Sequence, residues 1–220
     1  MSTVYDCNSP DSRAAGLTAA KGALKAGRLV VVPTDTVYGL AADAFDSDAV
    51  TSLLRAKGRG RDMPVPVLVG SWNTIDGLVN TVRPQARELI RAFWPGGLSL
   101  VVHQAPSLAW DLGDTRGTVM LRMPLHPVVL ELLREVGPLA VSSANVSGRP
   151  PATTVDEARA QLGGSASVYL DGGPAEHAVA STIVDLTADR PRVLREGAVA
   201  VEDIAEVLGE DPAQLRTGGE

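Results

Sequence analysis

Residues 28–33, RLVVVP, are β-branched and almost wholly apolar, the pattern of a strand covered on both faces. Pro33 has no N–H to donate, so it ends the hydrogen-bond ladder there. A strand with no face left for water needs packed layers on both sides, which points to helices flanking a sheet.

The rest of the chain supplies them. Residues 11–26 are Ala-rich, with Leu17 and Leu24 on one helical face and Gly27 as a stop. Asp46 or Ser47 can cap a second helix that runs through Lys57, with Val50, Leu53 and Leu54 on one face and Gly58 at its end. Helical patterns recur at 84–93, 127–136, 154–162 and 201–208, and strand patterns at 65–70, 98–103, 118–124, 138–143, 167–171, 181–186 and 191–196. This alternation, without a long linker or a repeat, predicts a single α/β or α+β domain around one twisted, mixed sheet. The domain is expected at 10–209, with 1–9 and 210–220 as flexible terminal extensions.

At 220 residues, with 45% hydrophobic and 21% charged residues, the chain can bury a sizeable core, and wholesale disorder is excluded. No apolar run approaches the ~18 residues that span a bilayer, and the first residues carry acids where a secretory leader needs a basic and then an apolar stretch, so a cytoplasmic location is expected. The single cysteine, Cys7, can form neither an internal disulfide nor a structural zinc site. A net charge of −6 suits duplex binding poorly, so any nucleic-acid contact must be local.

Three segments could carry chemistry. R55-A-K57-G-R59-G-R61 places four cations in seven residues after a helix, with glycines that let backbone approach a ligand. That suits a phosphate chain, although cations at a helix C-terminus with Gly58 as the cap would look the same. No GxxxxGK[ST] is present, which argues against a Walker-type ATPase. PTDTVYGL (33–40) and SSANVSGRPP (142–151) each follow a buried strand with small polar residues, at strand ends where ligands of open α/β sheets bind. Each could equally be a turn in which Asp35 and its neighbours satisfy local backbone groups.

Taken together, PTDTVYGLAADA (33–44), the K-x-R of Lys57 and Arg59, WPGGLSLVV (94–102), VMLRMP (119–124), SSANVSGRP (142–150), STIVD (181–185) and VLREGAV (193–199) resemble the YrdC-like family, the catalytic domain of threonylcarbamoyl-AMP synthases. The resemblance covers about residues 15–205 in order and spacing. It implies a single α/β domain whose twisted sheet forms a concave, cationic cavity, in a minimal form lacking the extra carboxy-terminal domain of longer members. It also implies ATP-dependent synthesis of L-threonylcarbamoyl-AMP from L-threonine and bicarbonate, with ATP as substrate, Mg2+ accompanying it and no protein metal site. The adenylate would serve a downstream tRNA threonylcarbamoyl-transferase complex, with at most a weak tRNA contact and no membrane.

By the same matching, Lys57 and Arg59 are the implied catalytic cations, and Arg195 is a further cation at the nucleotide. Thr36, Arg122 and Ser181 are expected at the threonine, with Arg122 pairing its carboxylate bidentately. Thr118, Ser143 and Asn145 are expected at the nucleotide. The chain departs from the family pattern at Gly60, at Met63 and at WPGGLS. Met63 cannot donate a strong hydrogen bond, so Arg61 is expected to take over its nucleotide contact, in a loop that glycine makes more mobile. Two other classes remain. A non-catalytic RNA-binding module of the same fold would show steep salt dependence, and a carbamoyl-transfer module would need zinc-finger segments, whereas no CxxC occurs.

Overall fold

The computed structural model describes residues 2–175 and 179–216. Its strands are β1 (Thr3–Asp6), β2 (Leu29–Val32), β3 (Gly39–Asp43), β4 (Val67–Leu68), β5 (Leu98–His103), β6 (Thr118–Arg122), β7 (Leu139–Ser143), β8 (Ala166–Asp171), β9 (Thr182–Asp185) and β10 (Arg192–Arg195). Its helices are α1 (Pro10–Lys25), α2 (Ser47–Lys57), α3 (Ile75–Leu78), α4 (Pro84–Phe93), α5 (Pro127–Val136), α6 (Val155–Leu162), α7 (Val201–Leu208) and α8 (Pro212–Arg216). The strands form one sheet in the order β1-β8-β2-β3-β7-β4-β6-β5-β9-β10, mixing parallel and antiparallel pairs.

β2 is buried along its whole length and feeds both faces. Leu29 and Val31 join one apolar cluster, with Leu53 of α2 and Leu89 of α4, while Val30 and Val32 join another, with Leu17 and Leu24 of α1 and Leu132 and Leu133 of α5. The period of two thus divides one strand between two cores, as the apolar run predicts. α2 starts as expected, with the Asp46 side chain accepting from Asp48 N and Ala49 N at 3.0 Å each. It ends at Gly58 in the left-handed region, φ 65°.

The sequence reading missed four elements: the one-turn α3, β3, β1 and α8. β3 escapes it because GLAAD carries no β-branched or aromatic residue; the strand forms because it is paired on both sides, by β2 and β7. β1 and α8 lie in the segments expected to be flexible, but β1 pairs in parallel with β8, and Leu215 of α8 is buried in the larger core. Residues 1 and 217–220 of those expected extensions lie outside the described residues. Among the described residues no helix is long and apolar enough to cross a membrane.

Candidate active site

Beyond Pro33 the chain turns tightly: Thr34 Oγ1 donates to Val37 O at 2.7 Å and accepts from Thr36 N at 3.2 Å. Asp35 is not spent on that turn. Its Oδ1 accepts from Arg122 Nη2 at 2.6 Å and from Leu125 N at 3.0 Å. Arg122 arrives at the end of β6, where alternation sends Val119 and Leu121 into the larger core while Met120 and Arg122 line the cavity. Its Nε donates to Gly96 O at 2.8 Å and its Nη1 to Thr36 Oγ1 at 2.7 Å. Three of the five guanidinium N–H groups are therefore committed, and two remain for a ligand. Burial lowers the Arg122 pKa, the Asp35 carboxylate opposes that by charge and hydrogen bond, and the nearby Arg195 lowers it further.

Arg195, at the end of β10, donates through Nε and Nη2 to Ser181 O at 3.1 and 2.7 Å, and Ser181 Oγ lies 2.9 Å from Ser99 Oγ. Burial lowers the pKa of this arginine as well. Behind the opposite wall Lys57 is fully buried. Its Nζ donates to Asn145 Oδ1 at 2.7 Å, to Ser143 O at 2.5 Å and to Ser143 Oγ at 3.2 Å. Every one of those partners is a neutral oxygen, and burial, with Arg59 nearby, brings the lysine down to about 7. Arg59 donates to Ser147 Oγ at 2.8 Å and reaches Ser142 Oγ at 3.4 Å.

These walls enclose a cavity of about 310 Å³. Of the residues expected at the site, Thr36, Arg59, Arg122, Ser143, Ser181 and Arg195 line it. Lys57 and Asn145 do not line it; they stand behind Ser143, held to it through the Lys57 ammonium. Thr118 is not brought to the cavity: it lies at the start of β6, four residues from Arg122, with its hydroxyl donating to Thr115 O at 2.7 Å. Arg61 also goes elsewhere. It pairs with Asp111 at 2.7 Å on the outside of the fold, which corrects the expectation that it replaces Met63 at a nucleotide, and Met63 itself is half exposed.

Sequence reasoning overlooked Asp35 as the counter-ion of Arg122 and Ser142 and Ser147 as the anchors of Arg59. Their signal was faint: Asp35 is the only acid in PTDTVYGL, and the two serines frame Ser143 and Asn145 where β7 runs into its following loop. Among the described residues no group of three or more His, Cys, Asp or Glu could hold a metal ion. The described residues lining the cavity include no carboxylate, and the nearby Asp35, between Thr34 and Thr36, is committed to Arg122. The arrangement can therefore receive a polyanion that brings its own cation, and it can orient a small carboxylate at Arg122.

A family model described as "Telomere recombination", covering the Sua5, YciO and YrdC proteins, matches residues 22–197. A Mycobacterium tuberculosis protein provisionally named threonylcarbamoyl-AMP synthase is 67% identical over 215 residues, 98% of this chain and 99% of that protein. Threonylcarbamoyl-AMP synthase of Bacillus subtilis is 39% identical over 84% of this chain, which spans 54% of that protein. Sua5 of Pyrococcus abyssi, solved in complex with L-threonine, is 36% identical and superposes with a TM-score of 0.85 over 88% of this chain and 57% of that one. With this agreement in sequence and in fold, the chain belongs to the Sua5/YciO/YrdC family.

Proposed function

We propose that the chain is an L-threonylcarbamoyl-AMP synthase, making the adenylate from L-threonine, bicarbonate or CO2, and Mg-ATP, and feeding a tRNA threonylcarbamoyl-transfer reaction. The observation that carries the reading is the convergence of Arg59, Arg122 and Arg195, backed by Lys57, on one cavity whose described lining includes no carboxylate. The threonine amine adds to CO2 and loses a proton to give a carbamate. A carbamate oxygen then bonds to the α-phosphorus, the bond from that phosphorus to the bridging oxygen breaks, and pyrophosphate leaves with the electron pair. The centre gathers negative charge, and preorganised cations are the means this chain has of stabilising it.

In this reading Arg59 and Arg195 meet the phosphates, and Lys57 acts through Ser143 and Asn145, as a positioning residue that adds charge behind the wall. Arg122 uses its two free N–H groups on the threonine carboxylate, with Thr36 and Ser181 nearby; the L-threonine complex of the Pyrococcus abyssi relative supports threonine as a ligand. Mg2+ enters with ATP. The catalytic unit is residues 10–209, extended by β1 and α8, working in the cytoplasm.

The test is to incubate the pure protein with Mg-ATP, bicarbonate and L-threonine and follow the adenylate by mass spectrometry, omitting each component in turn. Product should require all three. Serine, lacking one methyl, should lose about 1–3 kcal/mol in kcat/KM, and valine, which leaves buried hydroxyl partners unpaired, should lose more. Equal turnover of the three amino acids would overturn the threonine assignment.

A further inference from the structure

Loop 58–66 leaves α2 at Gly58, carries Arg59 into the cavity and places Pro64 and Pro66 in its wall. Among the described residues, the side-chain partners of Arg59 are the neutral hydroxyls of Ser147 and Ser142. Two residues later the same loop is gripped from outside. The Arg61 guanidinium donates to both oxygens of Asp111, at 2.9 and 2.7 Å, and its Nε lies 3.5 Å from Asp114. The backbones are joined as well: Asp114 N donates to Arg61 O at 2.7 Å and Val65 N to Leu112 O at 3.0 Å.

The partner turn is itself rigidly seated. Gly113 adopts φ 101°, and a Cβ there would fall 2.7 Å from Arg61 O and 3.3 Å from Pro64 Cα, so the two segments approach as closely as only glycine allows. Next to it Leu112 is buried, and Trp110 is buried with Nε1 donating to Gln104 Oε1 at 3.0 Å and its ring stacked on Phe45. The pairing with Asp111 raises the Arg61 pKa, and that with Arg61 lowers the Asp111 pKa, so both stay charged at neutral pH.

We infer that Arg61 is a positioning residue: its fork on Asp111, with Asp114 beside it, latches loop 58–66 to the 111–115 turn and thereby fixes where Arg59 stands in the cavity. The loop needs such a latch because Gly58 and Gly60 flank Arg59 and leave its backbone free to swing. A bidentate fork supplies direction as well as charge, which a lysine would not.

The kinetic side of this inference rests on the synthase reading; the conformational side does not. Asp111→Asn removes the charge yet keeps an oxygen for the Gly113 N–H, which Asp111 Oδ1 now accepts at 3.2 Å. Two measurements are made on Asp111→Asn, Arg61→Lys, Arg61→Ala and the Arg61→Ala/Asp111→Asn double variant. In the ligand-free protein, trypsin cleavage after Arg59, located by mass, should be faster in Asp111→Asn than in wild type. In the synthase assay KM for ATP should rise about fivefold, the upper scale of one exposed ion pair, with kcat within about twofold. The double variant should be no worse than Arg61→Ala, and Arg61→Lys should recover only part of the loss. Unchanged cleavage in Asp111→Asn would overturn the latch, and faster cleavage with an unchanged KM would overturn its positioning role. If the wild type made no adenylate, the synthase reading would fall, and the trypsin measurement would still decide the latch.

Discussion

Arg122 and Lys57 are both buried cations at one cavity, 7% and 0% exposed, and they are held in opposite ways. Arg122 has a carboxylate of its own, Asp35, together with Gly96 O and Thr36 Oγ1. Among the described residues Lys57 has no counter-ion within its hydrogen-bonding reach; it bonds to Ser143 and Asn145. Desolvating a charge is costly unless a partner offsets it. On the Arg122 side the partner is built in, so the charge is permanent and the geometry fixed before any ligand arrives. On the Lys57 side it is missing, and the protein tolerates this by letting the lysine titrate near neutrality. In the synthase reading proposed above, a phosphate chain in the cavity would bring negative charge to the other side of Ser143. One side thus carries its own counter-charge, and the other relies on neutral oxygens alone.

The largest expected effect breaks the finished side. Asp35→Asn leaves the buried Arg122 charge without a counter-ion and should destabilise the fold by about 3–5 kcal/mol, read from the denaturant midpoint. A change below about 1 kcal/mol would show that Asp35 does not balance Arg122 and would erase the contrast with Lys57.

The next breaks the unfinished side. Lys57→Met keeps much of the side-chain length without the charge and should cut adenylate formation by roughly 100-fold, as loss of one preorganised electrostatic group does. The protein should remain folded by circular dichroism, because no ion pair is broken. Near-wild-type turnover would mean that Lys57 only closes the end of α2.

The smallest effect sharpens the comparison through pH. Lys57 is held at about 7 against 10.5 for an ordinary lysine, so between those values the unfolded chain binds a proton that the folded chain does not. Stability should therefore rise with pH above about 7. From about 9 upward the climb should level off, because burial pushes the Cys7 thiol up to about 11 and the folded chain then holds a thiol proton that the unfolded chain has lost, which offsets the lysine. The melting temperature of wild type should climb by roughly 5 °C between pH 7 and 9. Lys57→Met should lose that climb, and Asp35→Asn should keep it. A climb that persists in Lys57→Met would place its origin elsewhere.

Local spacing in the sequence determined which segments are helix and strand wherever a face repeats. RLVVVP read as a doubly covered strand, and α2 was legible from its Asp46 cap to its Gly58 stop. The cations of the site were legible too, because Arg59, Arg122 and Arg195 sit in motifs at strand and helix ends. The burial of Lys57 could also have been read, since it stands four residues after Leu53 and seven after Val50, on the apolar stripe of α2. What only the tertiary structure decided was the company each charge keeps. Asp35 and Arg122 are 87 residues apart, Arg61 and Asp111 are 50 apart, and Lys57 is 88 from Asn145. GLAAD became β3 only because β2 and β7 were there to pair with it, and Thr118 stayed away from the cavity because β6 carries it to the far end of the strand from Arg122. Periodicity reports burial of a face over some ten residues. The partner of a buried charge depends instead on the order in which ten strands assemble into one sheet, and no window of local sequence contains that geometry.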